Sequence, residues 1–278
     1  MSQSESPIIL FTNDDGIDSP GLWAAVAAFR GCGRLLVAAP REQQSGMGRS
    51  MPHYSEGRIF PYTPPGDFGD CLAYAVDGTP AQAVQHAVLE LAEQQHPALL
   101  VSGINYGENT GNGVTISGTV GAALEGASLG IRSIAVSLQT TTDLHLTHSD
   151  EVDFSLAATW TRRFGDWLLD HSALPDDVDV LKIDVPWSAT ETTDWRLTRL
   201  SRRRVYFPTR PERLTLGDPA KLGYRYHADP DLAEPDSDVY ALLHDGLISV
   251  TPISLDLTSR TDMFRLQQIL LGRQTYGA

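Results

Sequence analysis

Apolar residues in the first 140 positions follow two rhythms. Short unbroken runs at 7–11 (PIILF), 35–39 (LLVAA), 98–101 (ALLV) and 134–138 (IAVSL) predict strands buried on both faces. Between them, the spacing at 22–29, 79–93 and 119–129 predicts helices, the second entered through Gly-Thr-Pro with Pro80 in its first turn. Strand and helix in alternation imply parallel pairing with helices on both faces, a doubly wound, mainly parallel α/β sheet. Further on, 154–169 reads as a long amphipathic helix with Trp160 and Trp167 in its core, and 181–186 and 247–252 as strands. Residues 259–271 predict a terminal helix. Alternation of apolar and charged residues in WRLTRL, RVYF and YRYH predicts exposed hairpins. The implied organisation is an α/β core over 1–195, a basic hairpin arm over 196–230, solvated or intersubunit, and a C-terminal strand and helix over 231–278. The last segment returns to the core or to a partner subunit.

In a doubly wound sheet, ligands lie beyond the carboxyl ends of the strands. The polar, Gly-rich stretches in such places are 12–18, 40–50, 78–81 and 102–117. The first carries two vicinal carboxylates, Asp14 and Asp15, straight out of a buried strand into a glycine turn. Paired carboxylates repel unless a cation lies between them, which points to a divalent metal. An Asn-Asp-Asp-Gly turn capping the next helix is the other reading. The fourth stretch ends at Ser117-Gly118-Thr119, a helix start whose free N–H groups and dipole suit a phosphate.

Composition narrows the classes. The chain has 278 residues, 21 Lys and Arg, 35 Asp and Glu, and a formal charge of −14. Such a surface repels long nucleic acid and anionic lipid, while a small anionic substrate stays compatible if a bound cation reverses the local field. The one basic island is 196–225, with nine basic residues against two acidic ones; it reads as a solvated or intersubunit arm rather than an anion-attracting rim. Cys32 and Cys71 form no CxxC pair and fit a reducing cytoplasm. The MSQSES start lacks a signal-peptide pattern, and no apolar run is long enough to cross a membrane.

Six motifs in order carry a family resemblance: NDDG at 13–16, Ser45-Gly46, GTP at 78–80, SGIN with the following GxN at 102–109, SGTVGAALEG at 117–126, and ISVTPISLDLT at 248–258. Together they resemble the SurE survival-protein family over nearly the whole chain. The resemblance implies a metal-dependent phosphatase of nucleoside 5′-monophosphates, often also 3′, assembling as a dimer or tetramer through its C-terminal arm. By matching motif it implies one divalent ion per subunit, Mg²⁺ or Mn²⁺, on Asp14, Asp15, Ser45 and Asn105, all hard oxygen donors. Asp14 and Asp15 would be catalytic, with Asn13, Gly46, Asn109, Ser117, Gly118 and Thr119 on the substrate. The chain departs from the family where AQAV follows GTP, where LKIDVP replaces an Asn-Val-Pro pattern, and where SGMGRSM lacks a nearby Thr.

Competing chemistries lose their residues. An aspartyl-phosphate phosphatase would place its nucleophile at Asn13, and an amide cannot form the acyl phosphate. GxSxG, the P-loop and GxGxxG are absent. The eight histidines, including His145 and His148 of an HxxH, read as ordinary surface or core residues. Trp187, Trp195, Tyr206 and Tyr224 are candidates to stack a base, with core or subunit packing as the other role. A non-catalytic nucleotide-binding protein of the same fold, and a phosphatase for a non-nucleotide phosphomonoester, remain the alternatives. A small phosphomonoester fits the charge better than long polyphosphate.

Overall fold

The computed structural model describes residues 6–145, 147–149, 151–171, 174–227 and 229–273, so most of the MSQSES start and the last residues of the 231–278 segment lie outside them. The chain opens with β1 (Ile8–Thr12), α1 (Pro20–Ala28), β2 (Arg34–Pro40), β3 (Ile59–Pro61), β4 (Leu72–Val76) and α2 (Pro80–His86). It continues through β5 (Leu99–Tyr106), α3 (Gly118–Ser128), β6 (Arg132–Leu138), α4 (Ser155–Asp170) and β7 (Val180–Val185). β8 (Trp195–Leu197), β9 (Tyr206–Thr209), β10 (Gly223–Tyr226), α5 (Asp238–Leu243), β11 (Ile248–Ile253) and α6 (Met263–Leu270) complete it.

Nine strands form one sheet in the order β3-β4-β2-β1-β5-β6-β7-β11-β8, and β9 and β10 form a separate antiparallel hairpin. The centre of the sheet is parallel; β3 and β11 run antiparallel to β4 and β7. Unbroken apolar runs are what such a sheet demands, because alternate side chains of each strand enter opposite layers. β1 sends Ile9 and Phe11 into a core with Leu22, Phe29 and Trp160 of the α1 and α4 side. Ile8 and Leu10 enter a second core with Val84 of α2 and Val120 and Ala123 of α3.

The expected doubly wound sheet is present, with local differences. WRLTRL is not a free hairpin: β8 pairs in parallel with β11 at the sheet edge, where half-exposed alternation is equally at home. RVYF and YRYH do supply the projecting hairpin, with Tyr226 opposite Tyr206. The helix expected over 79–93 passes into a π turn at Ala87–Leu91. Trp160 is buried, whereas Trp167 is 40% exposed and stacks on His171 at 4.5 Å. AQAV departs from the family without approaching the ligand side. Ala81 and Ala83 are core, and Gln82 completes a capping box with Thr79 while its amide donates to the Pro52 carbonyl.

Candidate active site

β1 connects toward β2 on one side, while its other neighbour β5 connects toward β6. Adjacent strands that diverge in this way leave a crevice beyond their carboxyl ends. Asp14 and Asp15 follow β1 into that crevice, and Asn105 lies near the end of β5 where the β5–β6 register shifts between Ser102 and Asn105. Gly103 is required beneath the shift, because a Cβ there would lie 2.2 Å from the Val136 carbonyl oxygen.

The two carboxylates are almost fully buried, Asp14 at 5% and Asp15 at 1% exposure. Thr119 Oγ1 donates to Asp14 Oδ1. Gln43 Nε2 and the Tyr106 N–H donate to the two oxygens of Asp15 at 3.0 and 3.2 Å, and His148 Nε2 donates to the Asp15 carbonyl at 2.7 Å. Burial pushes the Asp14 carboxyl above the ordinary range. Asp15 is raised well above it, by burial first and by the Asp14 charge second. Two adjacent buried carboxylates with neutral hydrogen-bond donors around them are a site that a cation would complete. Among the described residues no three His, Cys, Asp or Glu gather as a metal cluster. The fit rests instead on mixed oxygen donors. Asn105 donates its amide N–H groups to the Tyr106 and Gly107 carbonyls at 3.1 and 2.6 Å, so its carboxamide oxygen is the atom that could face a cation.

A cavity of about 760 Å³ opens over this corner. Asp14, Ser45, Gly46, Asn105, Asn109 and Ser117 line it, so six of the expected site residues share one surface. The Gln44 N–H donates to the Asp14 carbonyl at 2.7 Å, which ties the Ser45 loop to the carboxylates. Asp15 stands behind Asp14, outside the lining. Asn13 departs from expectation: its buried side chain closes the turn on Gly16, with bonds of 3.0 and 3.1 Å, and does not face the cavity. Gly118 and Thr119 also lie behind Asp14, where a Cβ at 118 would meet the Asp14 Cβ at 2.6 Å. Their N–H groups and the Thr119 hydroxyl face Asp14 itself, and Ser117 caps the helix through the Val120 N–H at 3.2 Å. The stretch at 78–81 supports the cavity indirectly, Thr79 Oγ1 donating to the Ser50 carbonyl at 2.8 Å.

The same lining includes residues that the sequence does not single out together. His145, Tyr206 and Tyr224 are among them, with ring centroids 6.1 Å (His145–Tyr206), 6.5 Å (His145–Tyr224) and 5.6 Å (Tyr206–Tyr224) apart. His145 is therefore no ordinary surface histidine. Burial pushes its imidazole down toward the neutral form, and its ring packs on Gly107, where any side chain would collide at 2.5 Å. Arg204 from the basic island also reaches the lining, as does Glu108, whose oxygens are buried. Trp187 and Trp195 stay outside it. Tyr206 and Tyr224 carry a sequence signal, aromatic residues in a basic arm. Gln43, Glu108 and His145 carry none beyond their loops.

The sequence profile of the survival protein SurE matches residues 9–206. This chain belongs to the SurE family. Among its SurE relatives, the protein named 5′-nucleotidase SurE of Thermococcus gammatolerans is 41% identical over 266 residues, covering 95% of this chain and 96% of that protein. The protein of the same name from Thermococcus kodakarensis is 38% identical, covering 95% and 99%. The crystal structure of the SurE protein from Aquifex aeolicus superposes with a TM-score of 0.73 at 30% identity, covering 95% of this chain and all of that one.

Proposed function

We propose that this SurE protein is a metal-dependent 5′-nucleotidase, hydrolysing nucleoside 5′-monophosphates, and 3′-monophosphates as a second class, to nucleoside and phosphate. The observation that carries this reading is one cavity whose lining holds two chemically different sets of groups. Asp14, Ser45, Asn105 and Asn109 supply carboxylate, hydroxyl and carboxamide groups to it, and His145, Tyr206 and Tyr224 supply three aromatic rings. A phosphate suits the first and a nucleobase the second, since bases stack on aromatic faces without demanding particular hydrogen bonds.

Asp14, Asp15, Ser45 and Asn105 would hold the single Mg²⁺ or Mn²⁺ of each subunit. When bound, that ion supplies Lewis-acid polarisation of the phosphoryl oxygens and a water of lowered pKa. The chain's own groups do the rest. Asn109, with Ser117 and the Gly46 backbone, orients the phosphate, and Arg204 adds a positive charge at the same cavity. Asp14 orients the attacking water or takes its proton. The bond broken is the phosphorus–oxygen ester, and the nucleoside leaves as the alcohol. Thr119, Gln43 and the Tyr106 N–H hold the carboxylates in place from behind. Cys32 and Cys71, both unpaired, support a reducing compartment, the cytoplasm.

Phosphate release from a panel of nucleoside 5′- and 3′-monophosphates, with Mg²⁺ or Mn²⁺ and with chelator, tests the reading. Turnover is expected with metal and is lost with chelator. Asp14→Ala is expected to lose more than about 100-fold in kcat, beyond the 10–100-fold that outer-shell changes produce, at an unchanged circular-dichroism spectrum. Full activity in chelator would overturn the metal assignment.

A further inference from the structure

The loop after β5 rests on three charged side chains that have no access to solvent. Lys182 and Asp184 leave β7 two residues apart, and Asp238 opens α5; all three are 0% exposed. The Lys182 ammonium pairs with Asp184 Oδ2 and lies 3.2 Å from Asp238 Oδ2. Each carboxylate also reaches the loop backbone. The Asn109 N–H donates to Asp184 Oδ1 at 2.8 Å, and the Gly111 N–H donates to Asp238 Oδ2 at 2.9 Å. Asp238 Oδ1 accepts from the Ser201 N–H at 2.9 Å, where the arm begins. One cluster thus fixes both the segment that presents Asn109 and the root of the arm that presents Arg204 and Tyr206.

A buried ion cluster is a poor device for stability alone, because desolvation cancels much of the attraction and apolar replacements often do as well. Burial opposes the Lys182 charge, yet Asp184 and Asp238 together outweigh it and hold the amine above its ordinary range. What an apolar trio could not supply is an acceptor for the Asn109 and Gly111 N–H groups. With Asn109 Nδ2 on Ser137 Oγ at 2.9 Å, the bond from its backbone to Asp184 fixes this residue at both ends.

We propose that Asp184 and Asp238 are positioning residues for the phosphate-binding loop at 109–111, with Lys182 balancing their charge, and that the site requires the acceptor oxygen facing the Asn109 N–H rather than the charge on it. The inference rests on the phosphomonoesterase reading above. It also accounts for the departure at 184. An Asn at this position offers the same acceptor without a charge, whereas this chain uses a carboxylate and neutralises it with Lys182.

Two charge-matched double variants separate acceptor from charge. Lys182→Met with Asp184→Asn keeps an acceptor opposite Asn109; Lys182→Met with Asp184→Leu has similar bulk and none. The Asn pair is expected within about threefold of the parent in KM for adenosine monophosphate and in the dissociation constant for inorganic phosphate measured calorimetrically with Mn²⁺. The Leu pair is expected to weaken both by about tenfold, the cost of one buried N–H left without a partner, with kcat changing less. Equal phosphate affinity in the two pairs overturns the proposal. Should the Leu pair fail to fold, Asp238→Asn against Asp238→Leu poses the same contrast at the Gly111 N–H. Phosphate binding is read independently of turnover. If the two pairs show the contrast in phosphate affinity yet the parent hydrolyses no nucleotide, the nucleotidase reading is refuted and this one stands. Full turnover without the contrast does the reverse.

Discussion

Glu108 is a carboxyl group that the fold confines without a compensating charge. It sits between Gly107 and Asn109 at 3% exposure, and neither oxygen has a hydrogen bond of standard geometry, although the Tyr206 and Tyr226 phenols are close enough to influence it. Burial, aided by the Asp184 charge, raises it to about 7 from an ordinary 4.5. Between those values the folded chain holds a proton that the unfolded chain has released. Stability therefore falls as pH rises through this window and levels off above it. Glu108→Gln removes the titration. In denaturant titrations at pH 8 the variant is expected to exceed the parent by up to about 3 kcal/mol, with the gain gone by pH 4. Parallel pH profiles for the two proteins would rule out an uncompensated carboxyl at 108. The same burial at Asp14 and Asp15 has the opposite sense for function, because there a cation can restore the charged form.

At the scale of elements, α3 joins the carboxylates to the Ser45 loop. Its first turn holds Asp14 through Thr119, and its second packs Gly121 against the backbone of 48–49. Replacing a helical glycine by alanine ordinarily gains about 1 kcal/mol. Here the new Cβ would lie 2.3 Å from the Gly48 carbonyl oxygen and 2.6 Å from the Arg49 nitrogen, so the loop must move. Gly121→Ala is expected to lose about 1–3 kcal/mol and to weaken Mn²⁺ binding together with stability. A raised thermal midpoint at unchanged metal affinity would show that the loop yields freely. The sequence makes legible the elements whose pattern is strong. β1, β2, β5 and β6 carry apolar runs buried on both faces, β7 and β11 show as strands by their β-branched residues despite buried polar ones, and the carboxylates and amides that follow β1 and end β5 announce the ligand side. β3 is three residues and α5 six, too short for a period to show. β8 has the alternation of a hairpin strand and of a sheet edge alike, and only pairing with β11 decides between them. Gln43, His145 and Arg204 lie on loops, so their convergence depends on packing between segments far apart in the chain, 102 residues for Gln43 and His145, to which local pattern is blind.

For the whole molecule, the surface that its own chain leaves uncovered is the most informative. α6 is amphipathic, yet none of its residues is buried; Phe264 is 68% and Leu270 78% exposed. The arm adds Leu214 at 99% and Leu216 at 92%. Large apolar side chains gathered on elements that the chain itself leaves uncovered point to association rather than a solvated end. The formal charge of −14 sharpens the choice of partner. An acidic chain is repelled by its own copies except where its basic residues concentrate, and they do so in the arm at 196–225. We propose on this basis a homo-oligomer, dimer or tetramer, in which arm and terminal helix of one subunit meet another. Phe264→Lys with Leu270→Glu changes only exposed positions, so the fold of each subunit should persist while the assembly comes apart. Sedimentation equilibrium is expected to give the mass of two or four chains for the parent and of one for the variant, with the same far-ultraviolet spectrum. Salt supplies the second arm of the test: charge-guided contacts loosen as screening shortens their range, whereas apolar ones do not. A parent that sediments as a single chain at every salt concentration would remove the oligomer and leave the apolar face of α6 for a different partner.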